Sequence, residues 1–264
     1  MDIIQRNFLR LLRCGAFCIK EPLEPMSSWK WNRLYQVAQI HGVTPWIADG
    51  IAMCEDDFFL QLKPALKIRF EEDTTERIEE YRHTEMTNPL LNHKLRQIAG
   101  EAGEDDLTFA LLQTIITIAR NILTQGISLR QFIMLGTYLR NTKDPIHYDQ
   151  LKTWIKKLGM ERIAKLEGSM LMQLFGFRAD EIRFTEAATG KDSQKVVDDI
   201  FALTEKKAAD WYFTQGKSIF VRSSDSDAMI WHVKHSVKYM SYYPHEAFTN
   251  FLANFAHSLS HIEE

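Results

Sequence analysis

Apolar residues along this chain recur with a helical period. Between Ser28 and His41, the residues Trp31, Leu34, Tyr35 and Ala38 fall at i, i+3, i+4 and i+7, on one face of a helix. Ser27 or Ser28 is a natural N-cap for that helix and Gly42 a natural stop. Leu151, Trp154, Ile155 and Leu158 repeat the pattern ahead of Gly159. Phe248, Phe251, Leu252, Phe255 and Leu259 repeat it near the C-terminus, where they predict a core-facing stripe.

Two stretches break from this one-sided pattern. From Leu107 to Leu123 the apolar residues (Leu111, Leu112, Ile115, Ile116, Ile118, Ala119 and Ile122 among them) wrap nearly all the way round. A helix apolar on every side is buried on every side, so this segment predicts the central helix, with Glu104, Asp105 and Asp106 at its dipole-favoured start. From Glu71 to Asn88 only Ile78, Tyr81 and Met86 are apolar, which predicts a long charged helix projecting into solvent or toward a partner. Asn88-Pro89 then supplies an N-cap followed by proline at the first helical position. Gly100 to Gly103 reads as a short polar loop, and Thr185 to Asp192 as a linker.

Composition supports helices over a turn-rich β architecture, with 12 glycines and 7 prolines in 264 residues. The expected fold is all-α: a multi-helix bundle around a buried central helix at about 107–123. Residues 1–264 read as a single helical domain, with a division into 1–100 and 104–264 as the alternative.

Net charge of -3, from 32 Lys and Arg against 35 Asp and Glu, makes no electrostatic case for nucleic acid or an anionic membrane as partner. Cys14, Cys18 and Cys54 form no disulfide framework of the secreted kind. Met1 to Arg6 lacks the basic start and apolar run of a signal peptide, so a cytoplasmic protein is expected.

Candidate chemistry is thin. Cys14 and Cys18 stand at i and i+4 on the first helix, but zinc needs about four ligands, so core-facing thiols are the expectation. His257 and His261, also at i and i+4, lie on the polar face beside Asn250 and Asn254 with no carboxylate base between them; His232 and His235 read the same way. Gly216-Lys217-Ser218 lacks the upstream glycine of a phosphate loop, its place taken by Trp211. Asp225-Ser226-Asp227 offers two carboxylates for Mg²⁺, yet Ser223, Ser224 and Asp225 lead into the amphipathic run Met229, Ile230, Val233, Val237 as N-cap residues do. Neither a metal site nor a cofactor is expected.

Three stretches resemble one bacterial family, the uncharacterised nucleotidyltransferase-like proteins with helical flanks around a polymerase-β-type core. Trp29-Lys30-Trp31 through His41-Gly42-Val43-Thr44-Pro45 is similar to the family's opening helix. Gln125 to Phe132, with Ile146-His147-Tyr148-Asp149 and Lys157-Leu158-Gly159-Met160 after it, is similar to the helices that follow the core. Tyr242-Tyr243-Pro244-His245-Glu246-Ala247-Phe248 is similar to its aromatic-Pro-acid C-terminal element.

The resemblance implies a small α/β core whose Asp-x-Asp pair holds a divalent metal on nucleotide phosphates. Leu90-Leu91-Asn92-His93-Lys94-Leu95 resembles the run that enters such a core, but the central helix begins too soon afterwards to leave room for it. Met134 stands where the family often has an Asp. The expectation is therefore a non-catalytic, core-less relative that binds another protein chain. Its candidate surfaces are Glu71 to Thr87 and the aromatic stretch Tyr239, Tyr242, Tyr243, Phe248, the plainer readings being a solvated helix and core packing. The alternatives are a nucleotide-binding enzyme with a rebuilt site, in which Asp225 and Asp227 with Lys217 and Arg222 handle Mg²⁺ and phosphate, or a helical pocket for a small hydrophobic ligand.

Overall fold

A computed structural model describes residues 1–73, 85–103, 106–124, 127–142, 145–186, 196–198, 200–201 and 239–260, with side chains to 253. Among them every regular element is a helix and there is no strand, as the periodicity predicts.

α1 (Ile3–Phe17) is started by a reciprocal cap: the Gln5 N–H donates to Asp2 Oδ1 at 2.8 Å, and the Asp2 N–H to Gln5 Oε1 at 3.0 Å. It buries Phe8, Leu11 and Leu12 and ends where Cys18 turns left-handed at φ 57°. α2 (Ser28–Ile40) buries Trp31, Leu34, Tyr35 and Ala38, and the chain turns out of it at Gly42, φ +61°. α3 (Thr44–Met53) packs on α1 through two glycines. A Cβ on Gly15 would stand 1.8 Å from Trp46 O, and one on Gly50 would stand 2.1 Å from Leu11 O. Only hydrogen side chains permit that backbone approach.

α4 (Pro64–Glu72) follows, and α5 (Pro89–Glu101) starts as predicted at Asn88, whose Oδ1 accepts from the Leu90 and Leu91 N–H groups at 3.0 and 3.2 Å. α5 runs through Gly100, which the sequence places in a loop: the Ala102 N–H still reaches Ile98 O at 2.9 Å, and nothing crowds or strains that glycine.

α6 (Leu107–Thr124) is the central helix, capped by Asp106, whose Oδ1 accepts from Thr108 N–H at 2.7 Å and Phe109 N–H at 3.2 Å. By length and apolar content it passes for a membrane span, yet 61% of that stretch is buried inside the fold. Its apolar girth is core surface, met by α7 (Leu129–Asn141), α8 (Tyr148–Lys157), α9 (Glu161–Phe175) and α10 (Pro244–Ser260). The Tyr138 hydroxyl donates to Leu107 O at 2.7 Å and ties α7 to the start of α6.

Candidate functional site

Lys217, Arg222, Asp225 and Asp227 lie outside the described residues, as do His232, His235 and His261. The Glu71–Asn88 run is not one continuous helix. α4 stops at Glu72, where the carboxylate of Asp73 accepts from Tyr35 Oη at 2.8 Å and Gln39 Nε2 at 2.9 Å and fastens the helix end to α2. Residues 85–88 are non-helical, because Asn88 must be extended (φ -72°, ψ 118°) to cap α5; residues 74–84 lie outside the described residues.

A buried carboxylate organises what comes next. Glu246, in the first turn of α10 and 0% exposed, accepts from the backbone N–H groups of Thr87 at 2.7 Å and Asn88 at 3.0 Å. Arg120 of α6 stands beside it, Nε 3.5 Å from Oε1, and donates to Thr87 Oγ1 at 2.9 Å and to the Glu85 carbonyl. Asn88 Nδ2 reaches Thr249 Oγ1 at 3.0 Å and His245 O at 3.4 Å. Six hydrogen bonds and the Arg120–Glu246 ion pair thus hold the entry to α5 against α6 and α10.

This clamp sets which side of α10 faces inward, and it turns Phe248 and Leu252 of the predicted stripe outward; Phe251 is half-buried, and the side chains of Phe255 and Leu259 lie outside the described residues. Tyr243, Glu246, Ala247 and Asn250 are buried, a helical face by spacing. The Tyr243 hydroxyl donates to Leu158 O at 3.1 Å, and burial pushes its phenol up, the neighbouring Glu246 adding to the effect. Phe248 and Leu252, opposite that face, are 53% and 47% exposed. Of the predicted aromatic surface, Tyr239 and Tyr243 are core, Tyr242 is half-buried and Phe248 is exposed. Leu90, two residues after the Asn88 that bonds to α10, is 76% exposed in the first turn of α5.

Two features escape a reading by motif. Glu167 on α9 is 0% exposed and has no hydrogen-bond partner among the described residues, so burial holds its carboxyl well above the usual carboxylate range. The signal is present in the sequence: Glu167 sits mid-stripe among Ile163, Leu166, Met170, Leu171 and Leu174. The other is sulfur. Cys14 pairs not with Cys18, which the left-handed turn carries to the surface, but with Cys54 at the end of α3, Sγ to Sγ 3.5 Å. Both are free and buried, and burial with the adjoining thiol pushes Cys54 up to about 12. The expectation of core-facing thiols holds for Cys14 and is corrected for Cys18.

Among the described residues no group of three or more His, Cys, Asp and Glu side chains is placed to hold a metal ion. Set against known proteins, the chain matches no family model, no curated protein and no solved structure.

Proposed function

We propose that this chain is a non-catalytic, cytoplasmic helical module that binds another protein chain, and that it does so through the outer face of α10. The observation that carries this reading is the pair Phe248 and Leu252, exposed at i and i+4 on a helix whose opposite side is clamped in place. Leu90 on α5 is a further exposed apolar side chain.

An i, i+4 apolar pair on a fixed helix is the layout by which one amphipathic helix meets another. Because the clamp already orders these anchors, binding gives up little of their conformational freedom. The partner surface that fits is a helix whose apolar residues recur at the same spacing. The resemblance to the helical flanks of nucleotidyltransferase-like proteins supports the non-catalytic half of the proposal. Only residues 102–106 separate α5 from α6, at the point where that family carries its catalytic core.

A photoreactive amino acid at position 252, expressed in cells in the full chain, tests the idea. A defined cross-linked species that disappears with Phe248→Lys is expected. Adducts no different from those at the exposed α8 position Lys152 would overturn the reading.

A further inference from the structure

α2 and the start of α4 meet over a cleft of about 150 Å³ on a different part of the surface from α10. Ser28, Trp31 and Asn32 line it from α2, and Gln61, Lys63 and Arg69 line it from the α4 side. Two of those side chains are cations and no acid lines the cleft.

Elsewhere on α1 to α4, Arg6, Arg10, Arg13, Lys20 and Lys67 each stand within ion-pair distance of a carboxylate, whereas no ion pair engages Lys63 or Arg69 among the described residues. Arg69 is instead stacked on the Tyr35 ring, its guanidinium carbon 4.4 Å from the centroid. Stacking and a hydrogen bond to the Tyr35 hydroxyl fix the plane of the guanidinium, and its remaining N–H groups can meet an oxyanion. At the inner wall stands Trp31, 1% exposed, whose indole N–H has no acceptor among the described residues. A buried donor without a partner is uncommon and calls for one. α2 and α4 both begin here without a side-chain cap, so the positive ends of two helices add to the two cations.

We propose that this cleft binds the phosphoryl group of a small phosphorylated ligand. Two cations suit a dianion, Arg69 offers the N–H groups that Tyr35 does not use, and the hydroxyl and amides of Ser28, Asn32 and Gln61 supply neutral partners. A cavity of this volume holds about six heavy atoms, enough for a phosphoryl group and the first atom of its ester. The site does not depend on the α10 surface, and its test is blind to that surface.

The test follows the Trp31 indole N–H signal of the full chain by NMR, assigned with Trp31→Phe. The titrants are inorganic phosphate, glycerol phosphate, acetate at matched ionic strength, and phosphatidylglycerol vesicles. A saturable shift with the soluble phosphates is expected, weakened about tenfold or more in Lys63→Gln/Arg69→Gln. That variant alters two exposed side chains, and its melting curve reports whether it folds. Binding to vesicles alone, lost in the same variant, would identify a lipid headgroup as the source of the phosphoryl group. No saturable shift with any titrant, an equal response to acetate, or an unchanged response in the double variant would overturn the proposal.

Discussion

Glu167 makes stability depend on pH in a direction opposite to that of most carboxylates. A carboxyl buried without a partner is held as the neutral acid, because the charged form would lose its hydration and gain nothing in return. In the unfolded chain the same group titrates near its ordinary value of 4.5. The folded pKa is the higher one, so the contribution of Glu167 is fully present below the unfolded value. It is lost as pH rises toward the folded pKa. Over that window the loss approaches about 1.4 kcal/mol per pH unit.

Glu167→Gln keeps the size of the side chain and removes the titration. At about pH 4 the variant and the parent should be close, since both then carry a neutral side chain at this position. As pH rises above the ordinary carboxylate range the variant should gain steadily on the parent, by about 1.4 kcal/mol per pH unit, so that 1.5 units of this window amount to about 2 kcal/mol. For a chain of this length that is about 4–8 °C in Tm. Urea unfolding at constant ionic strength across those pH values measures the difference directly. Infrared spectroscopy offers a second readout, since the parent should show a protonated carboxyl stretch that the variant lacks. A difference that stays flat with pH would refute the reasoning, because it would mean Glu167 is ionised in the fold and has a partner there.

Two further expectations follow from the packing of α1 and α3. Gly15→Ala drives a methyl group into backbone at Trp46 O and Gly50 N and should cost at least about 3 kcal/mol, while Gly100→Ala on exposed α5 should gain about 0.5–1 kcal/mol; equal effects in chemical denaturation would refute the close approach. A thiol reagent at neutral pH should modify Cys18 rapidly and leave Cys14 and Cys54 untouched until the chain unfolds. Raising the pH toward 9 should still leave Cys54 unreactive, and a fast second thiol in native Cys18→Ser would show that the pair is not sealed.

Much of this fold is written locally. The α2 stripe with its Gly42 stop, the Asn88-Pro89 start of α5 and the all-round apolar α6 each depend on a few neighbouring residues, and each stands where the pattern puts it. The pairing of Cys14 with Cys54 and the approach of Gly15 to Gly50 depend on two helices meeting, which periodicity does not encode. Glu167 was open to discovery because an acid in an apolar stripe conflicts with its surroundings, and such conflict marks positions where something other than packing has chosen the residue. Lys217, Arg222, Asp225 and Asp227 suggest phosphate handling by residue type alone, and they lie outside the described residues.

α10 shows most clearly why hydrophobicity can assign a helix and still misplace its face. Summed over its length, the Phe248–Phe251–Leu252 side is the more apolar, and burial by transfer energy alone would turn it inward. What turns inward is the Tyr243–Glu246–Ala247–Asn250 side, because Glu246 finds two amide donors and an arginine that would otherwise be left unsatisfied. The polar bonds decide the rotation, and Phe248 and Leu252 are left in water while Phe251 is half-buried. This separates fold from binding. Replacing Phe248 and Leu252 with serine removes exposed apolar surface and touches none of the clamp, so the melting temperature should hold while cross-linking at this face is lost. Unfolding of that variant would mean instead that the outer face already belongs to the core, and the docking surface would have to be sought elsewhere.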